Sequence, residues 1–444
     1  MRSVTVLVAN DLRHDSRTLR VASALAAADW QVTLVGLQPS GSTLPNLDSY
    51  HGIPIHRVRA PVAWPSWWPG PTRADKTPLD APKPLPHAIV SLERWLDDRS
   101  GGAADWLVGW ITRWQAWGEA VAAVVPPTDA YYVCDLLPAY AVERLRARWL
   151  AEAGSRRRRG PGIVFDAREL LLESGRYAAQ PGWAKAVLRR REARFARRSD
   201  TVVTVSEPIR RVLVDRYRLA HTAVVYSCPP ARRVDEPDPR LRRALGLEDA
   251  VPLVIAHGRL TVHRGLEQLC DAMRETVTGA HLAVLGYGPL FHQLKLDSER
   301  GYWAGRLHLL EAVEPDDLLD WLSGADLAAM PIQPSTLNHF FSAPNKLFEA
   351  LNAGLPVVAP DFPVFRTVLQ DEAGLLGALV DPTNPLAIQH AIEEVLGRSS
   401  AERAELRRRC LRAARGSWTW ERQSRTLLEV MERSVRGLPV EARA

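Results

Sequence analysis

The sequence has few lysines, few cysteines and no long apolar run. Five of its 57 basic residues are lysines, so arginine carries almost all of the positive charge. The four cysteines show no spacing typical of a zinc site or of a disulfide scaffold, which favours reduced thiols and a cytoplasmic location. No stretch approaches the ~20 apolar residues that a membrane-spanning helix needs. We therefore expect a soluble protein, with peripheral attachment to the inner face of a membrane as the alternative.

The size and the charge of the chain indicate how many domains and which kinds of partner to expect. At 444 residues it exceeds the length at which a single core stops growing, so we expect two domains of roughly 200 residues each. The net charge of +6 fits an anionic substrate, an anionic membrane surface or nucleic acid. Because no nucleic-acid reading motif accompanies the charge, nucleic acid is not an expected partner.

Short apolar runs alternate with amphipathic segments along most of the chain, which is typical of a doubly wound parallel sheet. The pattern occurs twice. The first series comprises Val4 to Ala9, which is too short for a signal peptide, Gln31 to Gly36, Ala130 to Val133, Gly162 to Phe165 and Thr201 to Val205. The second comprises Pro252 to Ala256, His281 to Leu285, Arg306 to Leu310, Asp326 to Met330 and Pro356 to Ala359. The sequence therefore predicts an α/β fold with two Rossmann-like domains that face a cleft, where ligands bind at the carboxyl ends of the strands.

The composition also suggests where the domains begin and end. A polar stretch with two adjacent prolines follows residue 226 and is the best linker candidate, so the first domain is predicted at 1–226 and the second at 227–415. Residues 416–444 are predicted to form a helical segment that packs back on the first domain. An insertion at about 60–128 interrupts the first domain.

Tryptophan is concentrated in that insertion. It opens with prolines and with Trp64, Trp67 and Trp68 and then becomes helical, where further tryptophans recur at helical spacing: Trp106, Trp110, Trp114 and Trp117. Such a stripe usually packs against other helices, and acceptor binding or membrane contact is the alternative.

Arginines cluster at two places in the first domain. Arg156 to Arg159 form a run in a loop, and six more line a predicted helix at positions 189, 190, 191, 194, 197 and 198. The helix could lie on acidic lipid headgroups, or its charges could simply form a solvated face.

Polar chemistry is concentrated at the start of a short predicted helix within residues 342–361. Pro344 keeps the entering chain non-helical, and the first-turn amide groups beyond it can receive an anion such as a diphosphate. Lys346 adds a positive charge, and its retention in an arginine-rich chain fits a steric requirement for a compact ammonium. Glu349 shares a face of the turn with Asn345 and Lys346, where its carboxylate could accept hydrogen bonds from a ribose diol. The alternative is an ordinary helix-to-strand connection with a surface Lys–Glu pair.

These residues, with two glycine motifs before them, resemble the donor-binding half of glycosyltransferases of the GT-B fold, particularly glycosyltransferase family 4. Gly258-Arg259-Leu260 followed by Arg264 and Gly265 resembles the family's Gly-Arg-Leu and Lys-Gly pair, whose basic residues contact the donor diphosphate. Arg264 stands where Lys is usual. Gly286 and Gly288 resemble the glycine turn that lets the backbone approach the nucleotide. In the signature region Glu349 occupies the second acidic position and Phe341 the first.

The first domain resembles the same family less specifically. Asp15-Ser16-Arg17 resembles the opening of a subgroup, and residues 131–140 resemble the strand end where members commonly place a His beside the reacting sugar. This chain has Cys134 and Asp135 there. Arg168 stands in place of the His of an Asp-x-His-Glu-Leu element. The acceptor-side candidates are accordingly Asp15, Arg17, Cys134 and Arg168.

The resemblance implies a hexosyltransferase-like enzyme that moves a sugar from a nucleoside diphosphate sugar to an acceptor hydroxyl, with retention of the anomeric configuration. A glycan or a lipid-linked acceptor is expected, as in the synthesis of cell-surface polysaccharides or glycolipids. The catalytic candidates are Asp135, Arg259, Arg264 and Lys346, and the donor-binding candidates are Gly258, Gly286, Gly288, Asn345, Leu347 and Glu349. Since cationic side chains and helix amides can stabilise the leaving diphosphate, we expect no metal and no cofactor.

Two other functions stay open at this point. One is a non-catalytic nucleotide-sugar-binding or assembly protein, because Cys134, Arg168 and Phe341 depart from the commoner pattern. The other is a nucleotide-sugar epimerase on the same two-domain frame, which would release an altered nucleotide sugar without an acceptor.

Overall fold

The computed structural model describes residues 2–438, apart from residues 14, 40 and 304 and the segments 61–102, 154–159 and 233–234. Trp64, Trp67, Trp68 and the run Arg156 to Arg159 lie outside the described residues. The chain divides into two compact units. Unit 1 comprises Met1–Val205, Ile209–Val225 and Thr426–Ala444, and unit 2 comprises Ser206–Pro208 and Tyr226–Arg425.

Unit 1 is built on one eight-stranded sheet. Its strands are β1 (Arg2–Leu7), β2 (Trp30–Gln38), β3 (Leu47–Tyr50), β4 (Ile53–Arg59), β5 (Ala130–Cys134), β6 (Gly162–Ala167), β7 (Thr201–Thr204) and β8 (Thr222–Val224). They lie in the order β3-β4-β2-β1-β5-β6-β7-β8. Every neighbouring pair is parallel except β3 and β4, which are antiparallel.

Helices connect these strands, as parallel neighbours require. In chain order they are α1 (Ser16–Ala27), α2 (Ala103–Val124), α3 (Ala139–Ala153), α4 (Gly175–Ala178), α5 (Gly182–Arg198) and α6 (Glu207–Tyr217). The side chain of Asp15 caps α1 by accepting a hydrogen bond from the Thr18 amide at 2.9 Å.

Unit 2 contains a second, six-stranded parallel sheet. Its strands are β9 (Leu253–Arg259), β10 (His281–Tyr287), β11 (Leu307–Glu311), β12 (Leu327–Ala329), β13 (Val357–Pro360) and β16 (Gly377–Val380), in the order β11-β10-β9-β12-β13-β16. A separate two-stranded ladder pairs β14 (Gln370–Asp371) with β15 (Gly374–Leu375). The helices are α7 (Arg240–Leu245), α8 (Leu266–Arg274), α9 (Phe291–Ser298), α10 (Leu318–Ser323), α11 (Leu337–Phe341), α12 (Asn345–Asn352), α13 (Pro363–Leu369), α14 (Pro385–Leu396), α15 (Ser400–Ser417) and α16 (Trp420–Arg436).

The predicted fold class, two doubly wound parallel sheets, is confirmed. All ten predicted strands are present, with ends that differ from the prediction by at most three residues. The central strands of both sheets are mostly buried, and β5 is buried along its whole length, because helices cover both faces of a parallel sheet. Six of the described strands were not predicted: β3, β4, β8, β14, β15 and β16. The antiparallel strand β3 is mostly exposed and carries no apolar alternation.

The tryptophan stripe of α2 packs inside unit 1. The side chains of Trp110, Trp114 and Trp117 are at most 5% exposed. Two of them also satisfy their indole N–H groups, because Trp110 donates to the hydroxyl of Tyr177 and Trp117 donates to the carbonyl of Val58, both at 3.0 Å. Burial with both donors satisfied favours the packing interpretation.

The last helix, α16, carries the chain from unit 2 into unit 1. The division falls after Arg425, so the second half of the helix belongs to unit 1. It lies close to the start of β6: a side chain at Gly162 would have its Cβ 3.0 Å from the backbone of Ser434. Leu427, Val430 and Met431 are buried along the same helix.

Candidate functional site

The start of α12 is the centre of the polar residues in unit 2. Pro344 precedes the helix in an extended conformation, and Asn345 is its first residue. The helix buries one apolar side, including Phe348 and Leu351, which leaves Lys346 and Glu349 on its partly exposed side. Position 354 follows the helix with a φ of +79°, which glycine adopts without strain.

Lys346 reaches from α12 to the end of β9. A Cβ placed on Gly258 would lie 3.8 Å from the Lys346 Nζ, so the ammonium lies against the backbone of this glycine. Burial and, next, the positive charge of Arg264 lower the pKa of Lys346 to about 8, while Glu349 acts in the opposite direction. The two cationic groups thus repel each other, and a bound anion would reduce this repulsion.

The glycines of β9 and β10 allow their backbones to come close together. A Cβ on Gly286 would lie 1.9 Å from the carbonyl oxygen of Gly258, so only glycine fits at position 286. Gly288, just after β10, has a φ of +141°, and a Cβ there would lie 2.5 Å from the Leu260 carbonyl oxygen. Both motifs therefore end at the carboxyl ends of adjacent central strands, where ligands bind in open α/β sheets.

Glu349 is held by a histidine that the sequence analysis did not single out. The Nε2 atom of His257 lies 3.0 Å from Glu349 Oε2. The His257 side chain is 3% exposed and that of Glu349 13%. An ionised carboxylate only accepts hydrogen bonds, so His257 donates from Nε2 in this pair.

The structure brings most of the donor-side candidates together. Gly258, Gly286, Arg264, Lys346 and Glu349 form one cluster, called here the donor cluster, around the end of β9. Arg259 is exposed beside it, Gly288 follows the neighbouring strand, and Asn345 begins α12.

Leu347 needs a correction. Its side chain is fully buried in the hydrophobic core of unit 2, and its amide donates to the carbonyl of Pro344 at 3.0 Å. It therefore packs the helix and offers a donor neither a side chain nor a free amide.

In unit 1, Arg168 gathers the acceptor-side candidates. Its guanidinium donates to both carboxylate oxygens of Asp15 at 2.8 and 3.1 Å, to Thr18 Oγ1 at 2.7 Å and to Cys134 Sγ at 2.8 Å. Burial alone would raise the pKa of Asp15, but Arg168 and the Thr18 amide hold it well below its ordinary value. Asp15 is therefore a charged partner of Arg168 as well as a helix cap.

Arg17 and Asp166 form a second, deeper pair. The Nε and one terminal nitrogen of Arg17 donate to the two carboxylate oxygens of Asp166 at 2.9 and 2.8 Å, while its other nitrogen donates to the Val225 carbonyl. Arg168 Nε also reaches Asp166 at 3.2 Å. Because Arg17 is 5% exposed and Cys134 1%, neither side chain can touch an acceptor, and both are corrected to positioning residues.

Asp135 is a half-buried titratable group next to this cluster. It has a φ of +62°, a conformation that Asp tolerates better than most residues. The backbone amide of Asp135 donates a hydrogen bond to the Asp166 carbonyl, and Asp135 Oδ1 accepts one from the Arg168 amide. These two hydrogen bonds fix the orientation of Asp135. Burial raises the pKa of Asp135 to about 7, against the opposing charge of Arg168. A carboxylate with this pKa is suited to exchange a proton near neutral pH.

Three residues of these clusters were missed at the sequence level. Asp166 was considered only as part of a motif, although it directly follows the predicted strand Gly162 to Phe165. Thr18 and His257 lie within a helix and a strand whose local patterns say nothing about distant partners. A carboxylate at the end of a central parallel strand was the one usable signal.

The described residues contain neither a helix that could cross a membrane nor a group of side chains suited to a metal ion. None of the described helices combines the length and apolar character that a membrane crossing needs. Within the same ranges, no three His, Cys, Asp or Glu side chains are grouped so that they could hold a metal ion.

Comparison with known proteins gives a family match for part of unit 2. Residues 251–398 match the sequence model of the family described as "Glycosyl transferases group 1". A D-inositol 3-phosphate glycosyltransferase of Xylanimonas cellulosilytica is 29% identical over 203 residues, which are 45% of this chain and 46% of that one. The chain spans less than half the length of the curated relatives it matches.

The fold is shared with solved structures over nearly the whole chain. Sucrose-phosphate synthase from Thermosynechococcus elongatus superposes with a TM-score of 0.68 at 15% identity, covering 98% of this chain and 100% of that one. HepE of Anabaena, solved in complex with UDP and glucose, has a TM-score of 0.61 at 15% identity and covers 97% and 100%. The predicted resemblance to GT-B glycosyltransferases is confirmed. These matches do not single out family 4 among them.

Proposed function

Starting from a GT-B fold whose second unit carries a group 1 glycosyltransferase segment, we propose that this protein transfers a sugar from a nucleoside diphosphate sugar to an acceptor hydroxyl. The observation that carries the proposal is the position of Lys346, with its ammonium against Gly258 and Arg264 beside it. The UDP bound to the HepE neighbour supports a nucleoside diphosphate as the donor's leaving group.

The cations would act on charge that develops during the reaction. When the bond between the sugar and the diphosphate breaks, negative charge accumulates on the departing phosphate. Lys346 and Arg264, with Arg259 at the exposed edge, would stabilise that charge from fixed positions, so little reorganisation is needed at the moment of reaction. A bound diphosphate would also raise the pKa of Lys346 and keep it charged. We therefore propose that the reaction needs no divalent metal, which activity in the presence of EDTA would test.

Proton transfer from the acceptor is assigned to unit 1. Asp135 would accept the proton of the attacking hydroxyl. Its Oδ1 accepts a hydrogen bond from the Arg168 amide, its own amide donates to the Asp166 carbonyl, and burial raises the pKa of its carboxyl to about 7. Arg168 and Asp15 would keep this edge of the sheet rigid. Retention of the anomeric configuration is proposed from the family resemblance, and analysis of the product's anomer would decide it.

The acceptor is proposed to be a cell-surface glycan or a lipid-linked molecule at the inner membrane face. The support lies on α5, where Trp183 and Val187 are 41% and 37% exposed on the same helical face as Arg190 and Arg194. An apolar and cationic face of this kind favours anionic lipid surfaces. Flotation with anionic but not with neutral vesicles, lost in a variant with Arg190→Glu and Arg194→Glu, would support it. Equal behaviour with both vesicle types would contradict it.

A non-catalytic binding protein is the second candidate, and one observation favours it. Cys134 occupies the position where family members commonly place a His, yet burial raises the pKa of its thiol well above the ordinary value. If Asp135 does not replace the missing base, the chain would bind donors without turning them over.

One assay series separates these functions. A thermal-shift screen of uridine, guanosine and adenosine diphosphate sugars would identify the donor, because a ligand specific to the folded state raises its melting temperature. Release of the nucleoside diphosphate that depends on an acceptor would show transfer. Binding without release would favour the binding protein, and an altered nucleotide sugar without release would reveal an epimerase.

A further inference from the structure

We propose that His257 is a positioning residue that fixes the Glu349 carboxylate and so makes the site selective for a nucleotide with an intact ribose diol. The inference rests on the proposed function and deepens it, because it assigns a specificity role to a side chain that belongs to neither glycine motif. Its basis is the 3.0 Å contact between His257 Nε2 and Glu349 Oε2, which joins residues 92 positions apart in the sequence.

The position of the His257 imidazole is fixed by its strand and by its burial. It lies on β9, which is hydrogen-bonded to β10 on one side and to β12 on the other, and it pairs in register with Leu285 of β10. Its side chain is 3% exposed, so a rotation of the imidazole would have to displace packed neighbours. Glu349, in contrast, extends from a helix with a three-bond side chain that rotates freely unless it is held.

The hydrogen bond fixes the orientation of the carboxylate. His257 engages Oε2 by donation from Nε2, so Oε1 keeps an orientation set by the imidazole. The neighbouring Lys346 attracts Glu349 from the side of the helix start. A carboxylate oriented in this way presents fixed acceptor lone pairs, and two adjacent hydroxyl groups of a ribose are the complementary donors.

The alternative is a purely structural role, in which His257 only packs in the core below the site. That role predicts a loss of stability on substitution but no change in how the protein ranks two ligands that differ by one hydroxyl. If His257 orients Glu349, substitution should change the relative affinities of the two ligands. A carboxylate that rotates no longer forms a strong hydrogen bond with the ribose hydroxyl, so the ligand with the hydroxyl loses its advantage. The comparison between ligands therefore separates the two roles.

The experiment measures calorimetric affinities of the full chain for UDP, GDP and ADP and for their 2′-deoxy and 3′-deoxy forms. The wild type is expected to bind one ribonucleotide at least ~10-fold more tightly than its deoxy forms, the size of one charge-assisted hydrogen bond. His257→Phe should reduce this ratio to below ~3-fold. His257→Gln, whose amide can donate from nearly the same position as Nε2, should restore most of it. His390→Gln, on the exposed side of α14, is the matched control and should keep the wild-type ratio.

A second variant pair tests whether His257 acts through Glu349. If it does, Glu349→Gln alone should already lower the ratio, and adding His257→Phe should change it by less than ~2-fold. An unchanged ribose-to-deoxyribose ratio in folded His257→Phe would overturn the inference while leaving the proposed function intact. Failure of the wild type to bind any of the nucleotides would overturn the proposed function itself.

Discussion

The guanidinium of Arg17 and the carboxylate of Asp166 form a bidentate ion pair in which both side chains are buried, at distances of 2.9 and 2.8 Å. The two residues are 149 positions apart, so the pair joins the start of α1 to the end of β6. Arg168 contacts the same carboxylate and connects it to Asp15. This network fixes the carboxyl edge of the unit 1 sheet, at which Asp135 lies.

Loss of one member of the buried pair is expected to destabilise unit 1. Arg17→Ala leaves the Asp166 charge without its bidentate partner, which typically costs about 3–5 kcal/mol, with Arg168 keeping the effect near the lower end. The measurement is urea unfolding followed by tryptophan fluorescence. Arg13→Ala removes an exposed ion pair with Asp11 and should cost less than about 1 kcal/mol. Equal losses of unfolding free energy in both variants would show that the buried pair stabilises unit 1 no more than an exposed pair does.

The close approach of two strands gives a steric prediction in unit 2. Gly286→Ala would place a methyl group 1.9 Å from the Gly258 carbonyl oxygen, so β9 and β10 must separate at the donor cluster. We expect a loss of about 1–3 kcal/mol in stability and weaker nucleotide binding. Gly301→Ala, where no atom lies within 4 Å of the new methyl, is the control and should behave as the wild type. Wild-type affinity in Gly286→Ala would contradict the predicted role of this glycine.

The sequence was sufficient for features that depend on neighbouring positions. The strand series, the helix that starts after Pro344 and the shared face of Lys346 and Glu349 all follow from local periodicity and turn chemistry, and the structure contains them. Gly286 was singled out as a glycine that lets the backbone approach the nucleotide, and in the structure its lack of a side chain lets β10 come close to Gly258 of β9.

Partners that are distant in the sequence were beyond prediction. Nothing local in His257 indicates Glu349, and nothing local in Arg17 indicates Asp166, since side-chain pairing across a sheet depends on the register of strands. For the same reason Arg17 and Cys134 were assigned to acceptor binding, although the fold buries both. Leu347 was misplaced because the periodicity of one helical turn does not say which side faces the core.

Nucleotide binding is expected to weaken above about pH 8. The pKa of Lys346 is lowered to about 8 by burial and by Arg264, so the ammonium is charged below that pH and loses its proton above it. A diphosphate does not titrate in this range, so the dissociation constant should rise about tenfold per pH unit beyond the pKa. Calorimetry with the preferred nucleotide between pH 7 and 9.5 would measure it. Lys346→Arg keeps its charge, so its affinity should vary little with pH; the same decline in this variant would assign the titration to another group.

The rate of transfer should depend on the ionisation of Asp135. Because burial raises its pKa to about 7, the carboxylate is protonated below that pH and cannot accept a proton. Turnover under saturating donor should therefore rise with pH up to about 7, and Asp135→Asn should lower it by roughly 10²-fold or more and remove the rising limb. Glu152→Gln, which changes an exposed carboxylate on α3, is the control. A rising limb that persists in Asp135→Asn would assign the base elsewhere.

The most direct test of the account is the turnover of Lys346→Ala, measured as acceptor-dependent release of the nucleoside diphosphate. If the ammonium stabilises the departing phosphate, turnover should fall by at least ~10-fold, more than substrate affinity alone explains. Lys295→Ala, an exposed lysine on α9, should retain the wild-type rate. Transfer and donor hydrolysis at wild-type rates in folded Lys346→Ala would contradict the central claim.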